Sequence, residues 1–180
     1  HDMEREFRAL SGLAPQFSHS PRPLGFCADE EVIGAPFLVM ERRRGYVIRS
    51  AWPDFLPESP DLRARISKDL MDALADLHTV DTTRAELASL GRPDGFVERQ
   101  VRGWLGRWEA AKTREIPDMD RAAAWCLEHL PAPQAVSVLH NDYKLDNCMF
   151  DAEDPGHLVA IFDWDMASLG DPLVDLGTLL

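Results

Sequence analysis

Between Val138 and Asp165 the chain reads as apolar strand, polar loop, strand, tight turn, strand, and few folds can accommodate that order. Val138-Leu139 leads into His140-Asn141-Asp142-Tyr143-Lys144-Leu145-Asp146-Asn147, after which Cys148-Met149-Phe150 is apolar again. Asp154-Pro155-Gly156 is a strong turn sequence, since proline presets one backbone angle and glycine accepts the left-handed one. Pairing of residues 148–150 with residues 158–162 across that turn places Asn147 and Asp163 side by side at the hairpin's open end. An amide oxygen next to a carboxylate is half of an oxygen-rich Mg²⁺ site, with phosphate and water oxygens completing the shell. Asp142 then sits across the same cavity as a candidate base. Taken singly, these residues have ordinary explanations: Asp and Asn favour turns by bonding nearby backbone groups, and a lone His is more often packed than catalytic. Together, H-x-D-x-K-x-x-N, a hairpin of fitting length and a following D-W-D point to chemistry.

The rest of the chain supplies the elements that would support such a loop. Met3, Phe7 and Leu10 predict a helix over residues 2–13, ended by Pro15, Pro21 and Pro23. Residues 24–28 and 36–40 read as two strands around Asp29-Glu30-Glu31, and Glu41-Arg42-Arg43-Arg44-Gly45 as a connection between two lobes. Residues 61–78 carry Leu62, Ile66, Leu70, Leu74 and Leu77 on one helical face, with Ser59 or Asp61 as cap and Pro60 in the first turn. Further helices are expected over residues 95–112, with a stripe of Val97, Val101, Trp104 and Trp108, and over residues 117–130. The Trp104/Trp108 pair reads more readily as core, although it could line an apolar substrate surface. Helix, strands, linker, helices and a strand-and-loop cluster make an α+β order.

Composition narrows the partners. With 31 acidic against 19 basic residues the net charge is −12, opposite to the basic face of a duplex nucleic-acid binder. Polyphosphate binding remains open, because a bound divalent cation neutralises the carboxylates that face it. Cys27, Cys126 and Cys148 show neither zinc spacing nor a disulfide framework, which makes a reduced, cytoplasmic setting the default. No apolar run approaches the roughly 18–20 residues that span a bilayer. The opening at His1 and the apolar, unstopped ending at Leu180 suggest a piece of a longer protein.

The segment from His140 to Asn147, followed by Ile161-Phe162-Asp163-Trp164-Asp165, resembles the catalytic and metal-binding loops of protein-kinase-like enzymes. Tryptophan after the metal aspartate, then Gly170-Asp171-Pro172-Leu173-Val174-Asp175-Leu176, resembles the aminoglycoside phosphotransferase and choline kinase branch, especially the kinase-like domains associated with acyl-CoA dehydrogenases. Arg5-Glu6-Phe7, the stretch from Gly34 to Glu41, and Gln100 through Trp108 with Pro117-Asp118-Met119-Asp120 extend the likeness over nearly the whole chain.

The resemblance implies a protein-kinase-like fold and phosphoryl transfer from ATP, with Mg²⁺, to a hydroxyl of a small molecule. It implies a partial N-terminal lobe over residues 1–41, a hinge over 42–46 and a catalytic lobe over 47–180. Asp142 would orient or deprotonate the acceptor, with His140 and Lys144 beside it, and Asn147 and Asp163 would hold Mg²⁺. Met40, Glu41 and Arg43 would meet adenine at the hinge, and Glu6 would match the glutamate that pairs with an ATP-binding lysine. Lys144 reads equally well as a solvated loop residue. Asn141 replaces a glycine usual in phosphotransferases, and Asp165 stands where Glu is commoner. Asp171 and Asp175 are expected to brace loops by bonding backbone amides. No glycine-rich loop or ATP lysine precedes Glu6, so weak nucleotide binding and poor turnover are expected of these 180 residues. A non-catalytic nucleotide-binding module is the alternative; its weakness is that Asp142, Asn147 and Asp163 are all present. A metal-dependent hydrolase fits less well, lacking a His-rich ligand set.

Overall fold

The longest apolar stripe forms the longest helix. In the computed structural model, which describes residues 2–180 and leaves His1 outside the described residues, Pro60–His78 is helical. Ser59 caps it, its hydroxyl accepting from the Leu62 amide at 3.4 Å, and Pro60 occupies the first turn, where no amide is needed. Leu62, Ile66, Leu70, Leu74 and Leu77 are all buried, as their spacing predicts. Truncating any one of them to Ala should cost about 2–5 kcal/mol, the usual range for a core leucine or isoleucine.

In chain order the elements are α1 (Met3–Leu13), β1 (Pro23–Cys27), β2 (Phe37–Met40), β3 (Tyr46–Val47), α2 (Pro60–His78), α3 (Ala85–Ala88), α4 (Phe96–Ala111), α5 (Pro117–Glu128), β4 (Ser137–Leu139), β5 (Cys148–Phe150), β6 (Leu158–Ile161), β7 (Ser168–Gly170) and α6 (Leu173–Leu179). β1 and β2 form one antiparallel pair. β5 and β6 form the expected hairpin, Cys148 opposite Ile161 and Phe150 opposite Leu158, with Gly156 at φ 100° in its turn. β3 adds to the outer edge of β5, and β4 pairs with β7. The chain enters β3 through Gly45, whose φ is 153° and where a Cβ would lie 2.2 Å from the Phe150 carbonyl oxygen. Only glycine fits that crossing.

One core joins these pieces. Ala9, Leu10 and Leu13 of α1, the α2 stripe, Leu87 of α3, Phe150, Ile161 and Trp164 belong to a single buried cluster. α1 is also tied across the chain by Arg5, whose Nη1 donates to the carbonyls of Leu90 and Ala167 at 2.8 and 2.9 Å.

The helical pair α4–α5 departs from expectation. Only Phe96 of α4 is buried and no residue of α5 is. Trp104 is 64 % exposed, so the stripe from Val97 to Trp108 is not a core face. The two helices pack mainly on each other, and α4 also touches β7. α3, β3 and β7, each short, were not foreseen. No helix among the described residues is long and apolar enough to cross a membrane.

Candidate active site

The polar loop is held from below by one carboxylate. Asp175 of α6 is fully buried, and its oxygens accept from the backbone amides of His140 at 2.9 Å and Asn141 at 2.7 Å. His78, at the C-terminus of α2, reaches the same carboxylate with Nε2 at 3.0 Å. Asp171 does similar work nearby, accepting from the Gln134 and Leu173 amides at 2.8 and 3.0 Å. These two carboxylates therefore take the bracing positions expected of them. His78 was not foreseen: nothing in the sequence around it marks a helix end that meets a residue 97 positions away.

Asn141 turns the loop in the left-handed region at φ 65°, which asparagine tolerates better than most residues. Its amide nitrogen donates to the Met166 carbonyl and the Ser168 hydroxyl, both at 2.8 Å, which fixes the turn. His140 is buried completely. Its Nε2 lies 2.9 Å from the Phe162 carbonyl, and its Nδ1 faces the Asp142 amide at 3.3 Å. That pairing requires a neutral ring, with hydrogen on Nε2 and a lone pair on Nδ1. Burial lowers the ring's pKa and so favours that form. With no exposed surface and both ring nitrogens on backbone groups, His140 clips the Asp142 loop to the strand leading into Asp163.

Asp142 is set by two partners. Asn147 Nδ2 donates to the Asp142 carbonyl and to Oδ2, both at 2.9 Å, and Lys144 Nζ meets Oδ2 at 2.8 Å. The hydrogen bond to Asp142 raises the Lys144 pKa, keeping it charged. Since both amide hydrogens of Asn147 go to Asp142, the group Asn147 can offer elsewhere is its oxygen. The Phe162 amide donates to the Asn147 carbonyl at 2.9 Å, so at the hairpin's open end Asn147 stands opposite Phe162, the residue before Asp163.

Asp163 also has a positive φ, of 68°. Burial, then the neighbouring Asp165 carboxyl, push its pKa above its ordinary value, and Asp142 adds to the effect. Clustered carboxyls that disfavour one another's charge suit a divalent cation, which would relieve the repulsion. Among the described residues no three His, Cys, Asp or Glu side chains are placed to hold a metal by themselves. The donor chemistry, one carboxylate and one amide oxygen, fits Mg²⁺ only with further oxygens from a ligand or water.

Glu6, nearly buried on α1, faces this segment: its Oε1 accepts from the Trp164 amide at 3.4 Å. Burial raises its pKa, the Trp164 bond opposes that, and Asp163 and Asp165 reinforce it. Trp164 lies beneath, fully buried, with Nε1 donating to Ile161 and its ring 4.6 Å from that of His140. The expected adenine contacts form a separate group after β2. The Glu41 amide donates to the Arg22 carbonyl at 2.9 Å. Arg43 is anchored by Glu41 Oε1 at 2.5 Å and the Ser18 carbonyl at 3.1 Å, and Met40 packs against the core.

A helix bearing a buried glutamate, a strand pair feeding a linker, and a helical lobe that presents an Asp/Asn loop beside an Asp-bearing hairpin together make up the protein-kinase-like fold, here in its small-molecule phosphotransferase form. Residues 1–180 match the phosphotransferase enzyme family, and the chain belongs to that family. It is 35 % identical over 176 residues to acyl-CoA dehydrogenase family member 10 of Mus musculus, covering 98 % of this chain and 16 % of that protein. A solved structure from Ralstonia eutropha, provisionally assigned as an aminoglycoside phosphotransferase, superposes with a TM-score of 0.86 at 35 % identity, over 97 % of this chain and 53 % of that one. The Streptomyces rimosus aminoglycoside phosphotransferase, solved with ADP and streptomycin, shares the fold with a TM-score of 0.65 at 20 % identity, over 98 % of this chain and 64 % of that one. The chain thus spans about a sixth of the first relative and about half of the first solved structure.

Proposed function

We propose that the chain supplies the acceptor-activating and metal-holding part of an ATP- and Mg²⁺-dependent kinase acting on a hydroxyl of a small molecule. The observation that carries this reading is the Asp142 carboxylate, gripped by Asn147 and Lys144 and clipped through His140 to the Asp163 segment. Asp142 accepts the acceptor's hydroxyl proton as the new oxygen–phosphorus bond forms at the γ-phosphate. The bond from the γ-phosphorus to the β-bridging oxygen breaks, and ADP leaves. Lys144 keeps positive charge beside the reacting oxygens. Asn147 through its oxygen and Asp163 through its carboxylate hold Mg²⁺, which when bound neutralises charge on the phosphates. The Glu41 carbonyl and Arg43 amide bind the adenine edge after Met40, and Glu6 orients the Trp164 amide and receives a nucleotide-binding lysine. Relatives named as acyl-CoA dehydrogenase family members support a physical link to such a dehydrogenase in the full protein.

The test is ATP consumption by the purified full-length protein with a panel of hydroxylated metabolites, comparing wild type with Asp142→Asn. The variant should lose about 10²–10⁴ in kcat, the usual contribution of a positioned base, and keep its nucleotide affinity. Tight nucleotide binding without turnover on any acceptor would instead mark a binding module.

A further inference from the structure

The loop borders a cavity of about 610 Å³, lined among others by Arg5, Gln100, Trp104, Arg107, Asn141 and Ser168. Asn141 immediately precedes Asp142, so a molecule filling this cavity lies against the residue that leads into the candidate base. The charges of the lining are one-sided. Arg5 and Arg107 are its ionised side chains and no carboxylate lines it, although the chain has 31 acidic and only 19 basic residues. Arg5 is held in place and already paired, its Nη1 engaged by the Leu90 and Ala167 carbonyls and its Nε 3.6 Å from Asp2 Oδ2.

Arg107 is different. Its guanidinium carbon stands 4.5 Å from the centre of the Trp104 ring, and no ion pair among the described residues engages it. Stacking on an indole face holds a guanidinium flat and leaves its edge donors directed outward. An edge of that kind recognises two oxygens of one anion, a carboxylate or a phosphate ester, in a bidentate grip. It also explains why a tryptophan that is 64 % exposed lies on a face whose neighbours are not core. A polycationic amino sugar would meet Arg107, which has no carboxylate partner among the described residues, on a lining that carries no carboxylate.

Resting on the kinase reading above, we propose that this cavity takes the acceptor and that Arg107, carried on Trp104, selects hydroxylated acceptors bearing an anionic oxygen group over cationic ones. The test uses four hexose derivatives of similar size with the full-length protein: gluconate, glucose 6-phosphate, glucose and glucosamine. Binding is read by calorimetry and turnover by ADP release. One or both anions should bind about tenfold or more tighter than glucose, with glucosamine weakest; the two anions separate carboxylate from phosphate recognition.

Arg107→Gln should bring the anions to within about threefold of glucose, and Arg107→Glu should move glucosamine ahead of them. Because Arg107 is exposed, both variants should keep the wild-type unfolding midpoint. Preference for glucosamine or glucose in the wild type, an unchanged ranking in Arg107→Gln, or no binding of any of the four at millimolar concentration would each overturn the proposal. Arg107-dependent anion binding without ADP release would support this pocket and sink the kinase reading. ADP release favouring glucosamine would do the reverse.

Discussion

Replacing Asp175 by alanine should unfold the candidate site before any other single surface or loop change does. Two backbone amides, of His140 and Asn141, would lose their acceptor in an interior where Asp175 itself has no exposed surface. A buried donor left without a partner costs about 1–3 kcal/mol, and the His78 bond is lost as well. Relief from burying a carboxylate returns part of this, so the net loss should be about 3–5 kcal/mol, much of the roughly 5–15 kcal/mol that holds an ordinary domain together. Asp175→Asn keeps one acceptor oxygen but turns an N–H₂ toward an N–H, so about half that loss is expected. Urea unfolding followed by circular dichroism gives both values by linear extrapolation, provided the slope stays constant. A double-mutant cycle with His78→Ala should show coupling of about 1 kcal/mol, because the two side chains share one hydrogen bond. A loss below about 1 kcal/mol for Asp175→Ala would refute the reasoning, since water or another side chain must then satisfy the two amides.

Three other substitutions test the supporting structure. Tyr143→Phe removes the hydroxyl that donates to the Leu70 carbonyl at 2.8 Å and should cost about 1–2 kcal/mol in the same unfolding assay. Gly170→Ala would place a Cβ 2.6 Å from the Phe96 ring and 2.7 Å from Leu139, so an overpacking loss of about 1–3 kcal/mol is expected, read as a lower thermal midpoint. Glu6→Gln tests the buried carboxyl through pH. Its folded pKa is raised above the ordinary 4.5, so the protonated form's stability is fully present below that value and falls as pH rises through the folded pKa. Wild type and Glu6→Gln should therefore match near pH 4 and separate above it, the glutamine form melting higher at pH 7; equal melting at both pH values would contradict a buried, charge-averse Glu6.

The sequence made periodicity and turn chemistry legible, but not what covers each face. α2 and the β5–β6 hairpin could be read directly, because a leucine stripe and a D-P-G turn are local signals that tertiary packing reinforces. The stripe of α4 was an equally clear signal and misled. Regular spacing of Val97, Val101, Trp104 and Trp108 shows that these residues share a side, yet Trp104 borders a cavity instead of the core. Strands of two or three residues, such as β3 and β7, are too short for any alternation and exist because β5 and β4 offer them a free edge. His78 was illegible for a related reason, since its partner belongs to the last helix.

The site's geometry follows from where the chain is strained and what opposes the strain. Asn141 and Asp163 are the non-glycine residues of positive φ among those described, and each sits one position beyond a residue that His140 touches or is. The neutral ring joins the Asp142 amide on one side of the first to the Phe162 carbonyl just before the second. Strained turns persist only where their surroundings over-determine them. Here Asp175 fixes the amides entering the loop, Ser168 and Met166 fix the Asn141 side chain, and the Glu6 carboxyl meets the amide that follows Asp163. Those constraints come from α6, β7 and its approach, and α1, three elements far apart in the sequence. The Asp142 and Asp163 carboxyls are therefore held by the whole core, and a change at any of these supports should act on the candidate site without touching a ligand.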